Sequence, residues 1–458
     1  MGIYKFAKKM FKSDFKKSIF YVLAIAIMTV FMFNAINISY NEVIYSEQNE
    51  FIDVADGPDL GSNVSKPLRL IRTPIRVVQK GNLCILLIVT AFFGVFCNIN
   101  HIKRKSKEIA FIISNGSSLV DVSRYLVYVN GMNYVIGATL GIIIGIVTVP
   151  IFNKLMYISL GIDGSVLKLN SSSILMALTY VGLQFFIVVV LNFGYVYRKE
   201  VTELMKMESV ISFKDNRNIK TPGFIFFIIY IWSIGMNFFA ASIYQGENLA
   251  FVLAYTGMIG LYGVIKYYIP KVVGVMKKKE FMYKNHRRVC WSNFLYSLKN
   301  SIIYLLGMVF IMSYFIKSIV NYWSFEGLRG NTLFDMICSS IVIGLCLVYS
   351  LLVDAGDKMN IYNQLRILGY RKKEIETVIN KESVLFFLFG LFLSVSVTLS
   401  TIFVLLSRGI FSLSYGLNIL IIQVAPLIIA GIISNTINRK KIISTIYNEK
   451  NIVTLVET

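Results

Sequence analysis

Apolar residues run in long blocks along this chain, and the polar residues between the blocks come in clusters. A helix crossing the ~30 Å hydrocarbon core of a bilayer needs about 20 mostly apolar residues, and only helices or closed barrels satisfy their own backbone there. Ten blocks qualify, near 19–39, 82–98, 131–153, 173–195, 223–243, 249–269, 300–320, 334–353, 384–407 and 417–437. The second is short as drawn and is expected to begin earlier. The first follows a lysine-rich arm and lacks a small-residue cleavage site, so it reads as a retained span. The predicted fold class is an all-α polytopic membrane protein with ten transmembrane helices and no large soluble domain.

Charge then orients the spans. Of 458 residues, 56% are hydrophobic and 16% charged, yet 46 Lys and Arg against 25 Asp and Glu leave a net charge of +21. Nucleic-acid binding would explain the charge but not the hydrophobicity. An even number of spans puts both termini on one side, and 36 of the 46 basic residues fall on that side. The positive-inside rule therefore predicts a multi-pass cell-membrane protein with both termini in the cytoplasm, its basic segments attracted to anionic membrane lipids. Cys84, Cys97, Cys290, Cys338 and Cys346 show no CxxC spacing and read as structural thiols. His101 and His286 each adjoin Lys and Arg, so no metal site is expected.

The chain also repeats itself. Lys17-Ser18-Ile19-Phe20-Tyr21 resembles Asn300-Ser301-Ile302-Ile303-Tyr304 at an offset of 283, and Glu108 to Gly141 resembles Ile361 to Ser394 at an offset of 253. The offsets differ by the length difference between two external loops, 39–81 and 321–333. The expected organisation is a cytoplasmic amphipathic arm at 1–18 and a four-span half at 19–197. A linker at 198–276 carries spans five and six, a second four-span half covers 277–437, and a cytoplasmic tail covers 438–458. Each half contains a cytoplasmic elbow, at 103–128 and 357–383. In the first, Lys103, Arg104, Lys105, Lys107 and Glu108 precede Ile109, Ile112 and Ile113, then Asn115-Gly116 breaks the run before Asp121 and Val122. In the second, Leu365 and Leu368 precede Gly369-Tyr370, followed by Arg371, Lys372, Lys373, Glu374 and Ile375. The pattern predicts a helix, a glycine turn and a helix leading back into the membrane, a shape that can dock in a partner's groove.

At these residues the sequence resembles the FtsX-like permease family, in the segment Lys107-Glu108-Ile109 to Asn115-Gly116 and in Gln364 to Ile375. The second copy carries Ile361-Tyr362 where Glu-Ile would stand. With Asp354-Ala355-Gly356-Asp357-Lys358 upstream, it looks most like the ten-span permeases of the bacitracin-resistance (Bce) type. Those permeases carry a large external domain between spans seven and eight, where this chain has only a short link containing Tyr322, Trp323, Phe325, Glu326 and Arg329. The resemblance implies two FtsX-like halves joined by a linking helix pair, and a permease subunit that is not itself an enzyme. Its partner would be a separate ABC ATPase, a dimer that binds ATP and Mg. A sensor kinase or a second permease copy are further partners the resemblance allows. The implied coupling residues are Lys107, Glu108, Ile109, Asn115, Gly116, Leu368, Gly369, Tyr370, Lys373, Glu374 and Ile375.

The residues themselves add three readings. No GxxxxGK[ST] loop is present, so this chain holds no P-loop ATP site and binds no cofactor of its own. The drawn spans carry no ionisable residue away from their ends, with Lys266, Lys317 and Asp335 at borders, which counts against an ion-coupled secondary carrier. In the outer loop, Arg69, Arg72 and Arg76 follow helical spacing, with Pro74 expected to kink or end that helix. The row suits a lipid phosphate or pyrophosphate, and equally a solvated face balancing the acidic start of the loop. The N-terminal arm sets Ile3, Phe6, Met10 and Phe11 against Lys5, Lys8, Lys9, Lys12, Lys16 and Lys17, which predicts a helix lying in the inner interface. Lys277 to Lys299 is the expected equivalent for the second half.

The leading functional expectation is an ATPase-driven permease that removes or exports an amphipathic antimicrobial peptide or lipid-like compound at the outer leaflet. The alternative is a non-transporting mechanotransmitter or sensor relaying ATPase motion to another protein.

Overall fold

The structure, a computed structural model, describes residues 3–41, 65–160, 163–198, 223–240, 246–278, 287–321 and 326–447, and the single positions 43, 242 and 323. Over 65–80 only the backbone is described. Among the described residues there is no strand, and nine helices are long and apolar enough to cross a membrane. The chain is therefore an all-α, polytopic membrane protein. The expected fifth span, 223–243, is an apolar helix at Gly223–Phe239, shorter than the other nine.

In chain order the helices are α1 (Ile3–Ser39), α2 (Ser65–Arg104), α3 (Ser106–Ser114), α4 (Leu119–Leu160) and α5 (Ser171–Arg198). There follow α6 (Gly223–Ala240), α7 (Gly246–Gly263), a π turn at Val264–Tyr268 and α8 (Ile269–Met276). The last are α9 (Arg287–Asn300), α10 (Ile302–Asn321), α11 (Glu326–Asp357), α12 (Met359–Ile367), α13 (Lys372–Ser407) and α14 (Leu413–Tyr447). Two compact units result, one from residues 1–212 and 318–342, the other from 213–317 and 343–458.

Three expectations change. The amphipathic arm is not a separate interfacial helix, because α1 runs unbroken from Ile3 through the first span. Its apolar face is covered by the chain itself: Ala7 and Phe11 are buried with Ile109, Val122, Tyr125 and Leu126, while Lys5, Lys8, Lys9 and Lys12 stay exposed. The outer segment before the span at Gly81–Ile102 is partly helical, since α2 begins at Ser65 and its backbone is helical on both sides of Pro74. The Arg69, Arg72 and Arg76 side chains lie outside the described residues. Finally, one ionisable group lies inside a helix: Asp335 is ten residues into α11 and buried, while Asp354, Lys358 and Glu382 are buried at the second elbow. Apolar windows stop at a charge, but a helix continues through one that finds shelter, so the uncharged spans no longer argue against ion coupling.

Within the first unit, α4 lies against α1 through glycines spaced four residues apart. A Cβ at Gly137 would meet Ile25 Cβ at 2.8 Å, one at Gly141 would meet the Ala26 carbonyl oxygen at 2.6 Å, and one at Gly145 would meet Phe33 at 2.8 Å. Lipid tails supply no hydrophobic drive between helices, so close backbone approach of this kind is what packs them. Polar side chains supply the rest. Asn98 accepts hydrogen bonds from Tyr21 (3.3 Å) and Asn130 (3.0 Å) and donates to Asn192 (2.7 Å), tying α1, α2, α4 and α5 together. His101 stacks on Tyr21 with ring centroids 4.5 Å apart.

In the second unit the linker helices α6 and α7 pack on α13. The Tyr230 hydroxyl donates to the Leu393 carbonyl (3.2 Å), and the Asn237 amide donates to Ser400 (2.8 Å). Thr398 donates to Gln423 (2.6 Å), joining α13 to α14. The π turn precedes Pro270, which lacks the N–H an uninterrupted α-helix would use.

Gly141→Leu should force α1 and α4 apart and destabilise the protein by about 1–3 kcal/mol, as overpacking does in well-filled interiors. Leu placed at Gly182, where a Cβ meets nothing within 4 Å, should be tolerated. Thermal unfolding of the detergent-purified variants measures the difference.

Candidate functional site: the two elbows

Each elbow is a short helix followed by a glycine turn and a long helix. In the first, α3 ends in a Schellman motif: Gly116 N–H donates to the Ile113 carbonyl (2.9 Å) and Ser117 N–H to that of Ile112 (3.4 Å), with Gly116 at φ +83°. In the second, α12 ends the same way. Gly369 donates to Arg366 (2.9 Å) and Tyr370 to Leu365 (3.1 Å), with Gly369 at φ +92°. This left-handed conformation favours glycine, which lacks the Cβ that would clash.

The long helices are capped at matching positions. Ser118 and Asp121 form a reciprocal cap on α4, the Asp121 amide donating to Ser118 Oγ (3.2 Å) and the Ser118 hydroxyl to Asp121 (2.7 Å). On α13 the Arg371 amide donates to Glu374 Oε2 at 2.8 Å. Both carboxylates thus lie at a helix N-terminus, where negative charge is favoured, Glu374 on a backbone amide and Asp121 on the Ser118 hydroxyl.

Ile109 and Ile375 are fully buried and anchor the two elbow cores. The first core contains Phe11, Ile102, Val122, Tyr125 and Val196. The second contains Ala355, Tyr362, Leu365, Val378, Ile442 and Ile446. Of the remaining expected residues, Asn115 is exposed and its amide donates to the Phe111 carbonyl (2.8 Å). Tyr370 is partly buried and its carbonyl accepts from Tyr447 (3.1 Å). Lys373 is exposed. Leu368 is 75% exposed at the turn, and the Lys107 side chain lies outside the described residues. The glycines, Ile109, Ile375 and Glu374 therefore build the elbows, while Leu368, Lys373 and Asn115 face outward.

Two outward apolar residues escape the sequence pattern: Phe111, 66% exposed on α3, and Ile367, 76% exposed on α12. Both fall outside the buried stripe of their helix, and that misplaced hydrophobicity is the signal that marks them.

A second omission lies at the root of each elbow. Lys105 and Lys358 are the N-cap residues of α3 and α12, stand at the repeat offset of 253, and are only 5% and 3% exposed. Lys105 Nζ lies 3.5 Å from Glu108, which also accepts a hydrogen bond from Tyr125 (3.2 Å). Lys358 pairs with Glu382 and donates to Ser297 Oγ (2.6 Å) and the Asn293 carbonyl (3.2 Å), while Tyr362 donates to Glu382 (2.7 Å). The charge contact missing from Ile361-Tyr362 is thus present in space, supplied by Glu382 from α13. A cavity of about 30 Å³ adjoins the second pair, lined by Ser297, Ser434 and Asn438 among others. Next to it, burial and then the negative charge of Glu382 push the Cys290 thiol up to about 11.

Comparison with family models and with characterised proteins returned no match to this chain.

Two outcomes test this geometry. Gly116→Ala and Gly369→Ala should each cost about 1–2 kcal/mol of stability through backbone strain alone, since a Cβ at either position meets nothing within 4 Å. Asn, which tolerates the left-handed region, should cost less in the same thermal assay. Because its raised value leaves almost no thiolate at neutral pH, Cys290 should resist maleimide in native protein at pH 7.5 and react once the protein is denatured. Mass spectrometry of the labelled peptides reads both states.

Proposed function

We propose that this chain is the membrane subunit of an ATP-driven transporter, with its two elbows as the docking points for a separate ABC ATPase. Ten spans in two related halves, joined by the α6–α7 pair, would lie in a bacterial cell membrane with both termini and both elbows in the cytoplasm. The observation that carries this reading is duplication in detail: one chain builds twice, at a fixed offset, a buried N-cap lysine, a positive-φ glycine turn and a capped return helix, and each elbow also carries an exposed apolar tip at a position of its own. Surfaces repeated within one chain suit a partner that is itself two-fold, and an ATPase dimer has that property. The second tip sets apolar Ile367 and Leu368 beside basic Arg371, Lys372 and Lys373, all exposed, and the first presents exposed Phe111. Such a surface fits an apolar groove with an acidic rim.

The cargo reading rests on the apolar character of the spans. An amphipathic antimicrobial peptide or lipid-like compound, handled at the outer leaflet, would be removed or exported by ATPase-driven motion of the spans. ATP and Mg would be held by the partner.

A second reading, an ion-coupled carrier, is favoured by Asp335. This carboxyl is 4% exposed and makes no hydrogen bond or ion pair with the described residues. Intramembrane carboxyls of this kind often serve proton or cation pathways.

Co-purification with candidate ATPases separates the two. Phe111→Asp combined with Leu368→Asp should lower ATPase retention at least roughly tenfold, the equivalent of losing ~1.4 kcal/mol of contact. Glu108→Arg and Gly369→Pro, which alter the elbows themselves, should weaken it as well. Retention at the wild-type level in all of them, together with protection that collapses when the ion gradient is dissipated, would favour the carrier.

A further inference from the structure

The repeat places a lysine at the same root position in both elbows, and both lysines are surrounded by the same two partner types, one glutamate and one tyrosine. The partners nevertheless come from non-equivalent positions. In the first elbow the glutamate, Glu108, sits on the short helix α3 and the tyrosine, Tyr125, on the long helix α4. In the second the roles are exchanged, with the tyrosine, Tyr362, on the short helix α12 and the glutamate, Glu382, on the long helix α13. At the repeat positions of Glu108 and Tyr125 the second half has Ile361 and Val378, and at those of Tyr362 and Glu382 the first half has Ile109 and Val129.

A buried ammonium is costly unless a charge and further hydrogen bonds meet it. An N-cap position adds to that cost, because the positive end of the helix dipole repels a cation. Two halves that retain such a residue, and meet it by different routes to the same three-part arrangement, use it for something other than filling space.

We infer that Lys105 and Lys358 are positioning residues: each Lys–Glu–Tyr cluster is a joint that fixes the short elbow helix to the long helix after it, so that the two move as one body. Both clusters span the turn, since in each the glutamate and tyrosine lie on opposite sides of it. The exchange of partners makes the joints unequal. In the first, the ion pair is local to the start of α3, and the Tyr125 hydroxyl carries the polar link to α4. In the second, the ion pair itself crosses from the root of α12 to α13, reinforced by Ser297 and Asn293 of α9. That the joint transmits ATPase motion rests on the docking reading above; its existence does not.

Hydrogen exchange by mass spectrometry on the full chain in lipid nanodiscs tests it. Lys358→Met should speed exchange of the amides at Met359–Ile367 by roughly tenfold or more and leave those at Ser106–Ser114 unchanged. The reversed pair, Lys358→Glu with Glu382→Lys, should return protection toward wild type. Tyr125→Phe should loosen Ser106–Ser114 more than Tyr362→Phe loosens Met359–Ile367, and these two mild variants keep the test open if Lys358→Met does not accumulate. Unchanged exchange in Lys358→Met, a uniform rise across all helices, or a tyrosine order opposite to that stated would overturn the joint. Loosened elbows that still retain the ATPase normally would leave the joint standing and count against docking.

Discussion

No water reaches the hydrocarbon of a bilayer, so every polar group carried into this protein must be met by another part of its own chain. The all-helical architecture is the first consequence, since helices satisfy their backbone internally. The asparagine network around Asn98 is the second: four helices are joined by side-chain amides and one phenol that have no solvent to turn to. The buried lysines follow the same rule inside the elbow cores, where the protein itself excludes water. An ammonium at the root of each elbow draws a glutamate and a tyrosine to it, and in the second unit two further groups of α9.

Packing follows from the same setting. Without a hydrophobic gain on helix association, α1 and α4 meet through glycines that let their backbones approach, and lysines stay on the outside of the arm while Ala7 and Phe11 turn inward. The first elbow core is built partly by the amino-terminal arm and by Val196 of α5, helices distant in sequence from the elbow itself. The second elbow reaches a similar end with α9 and α14.

How much of this was legible depended on how local each signal was. The apolar blocks mark the spans because each carries its own pattern over about 20 residues. Gly116 and Gly369, with Asp121 and Glu374 five residues on, announce a turn and a cap within one short window, and the structure forms both. Lys358 and Glu382 were not legible as a pair. They stand 24 residues apart, each at the edge of an apolar run, where a charge normally signals the end of a span. The arm misled for a related reason: an amphipathic pattern shows that one face is covered, but not whether lipid or the chain itself covers it. Phe111 and Ile367 were visible only as hydrophobic residues out of register with their helix.

The proposed docking of one ATPase dimer requires that both elbows face the cytoplasm, and labelling in whole cells can settle that. Single cysteines at Phe111 and at Leu368, both exposed, can be probed with a membrane-impermeant thiol reagent in intact cells and in inside-out vesicles. Two related halves with cytoplasmic elbows predict labelling of both sites in the vesicles and of neither in intact cells. Labelling of either site from outside the cell would contradict it.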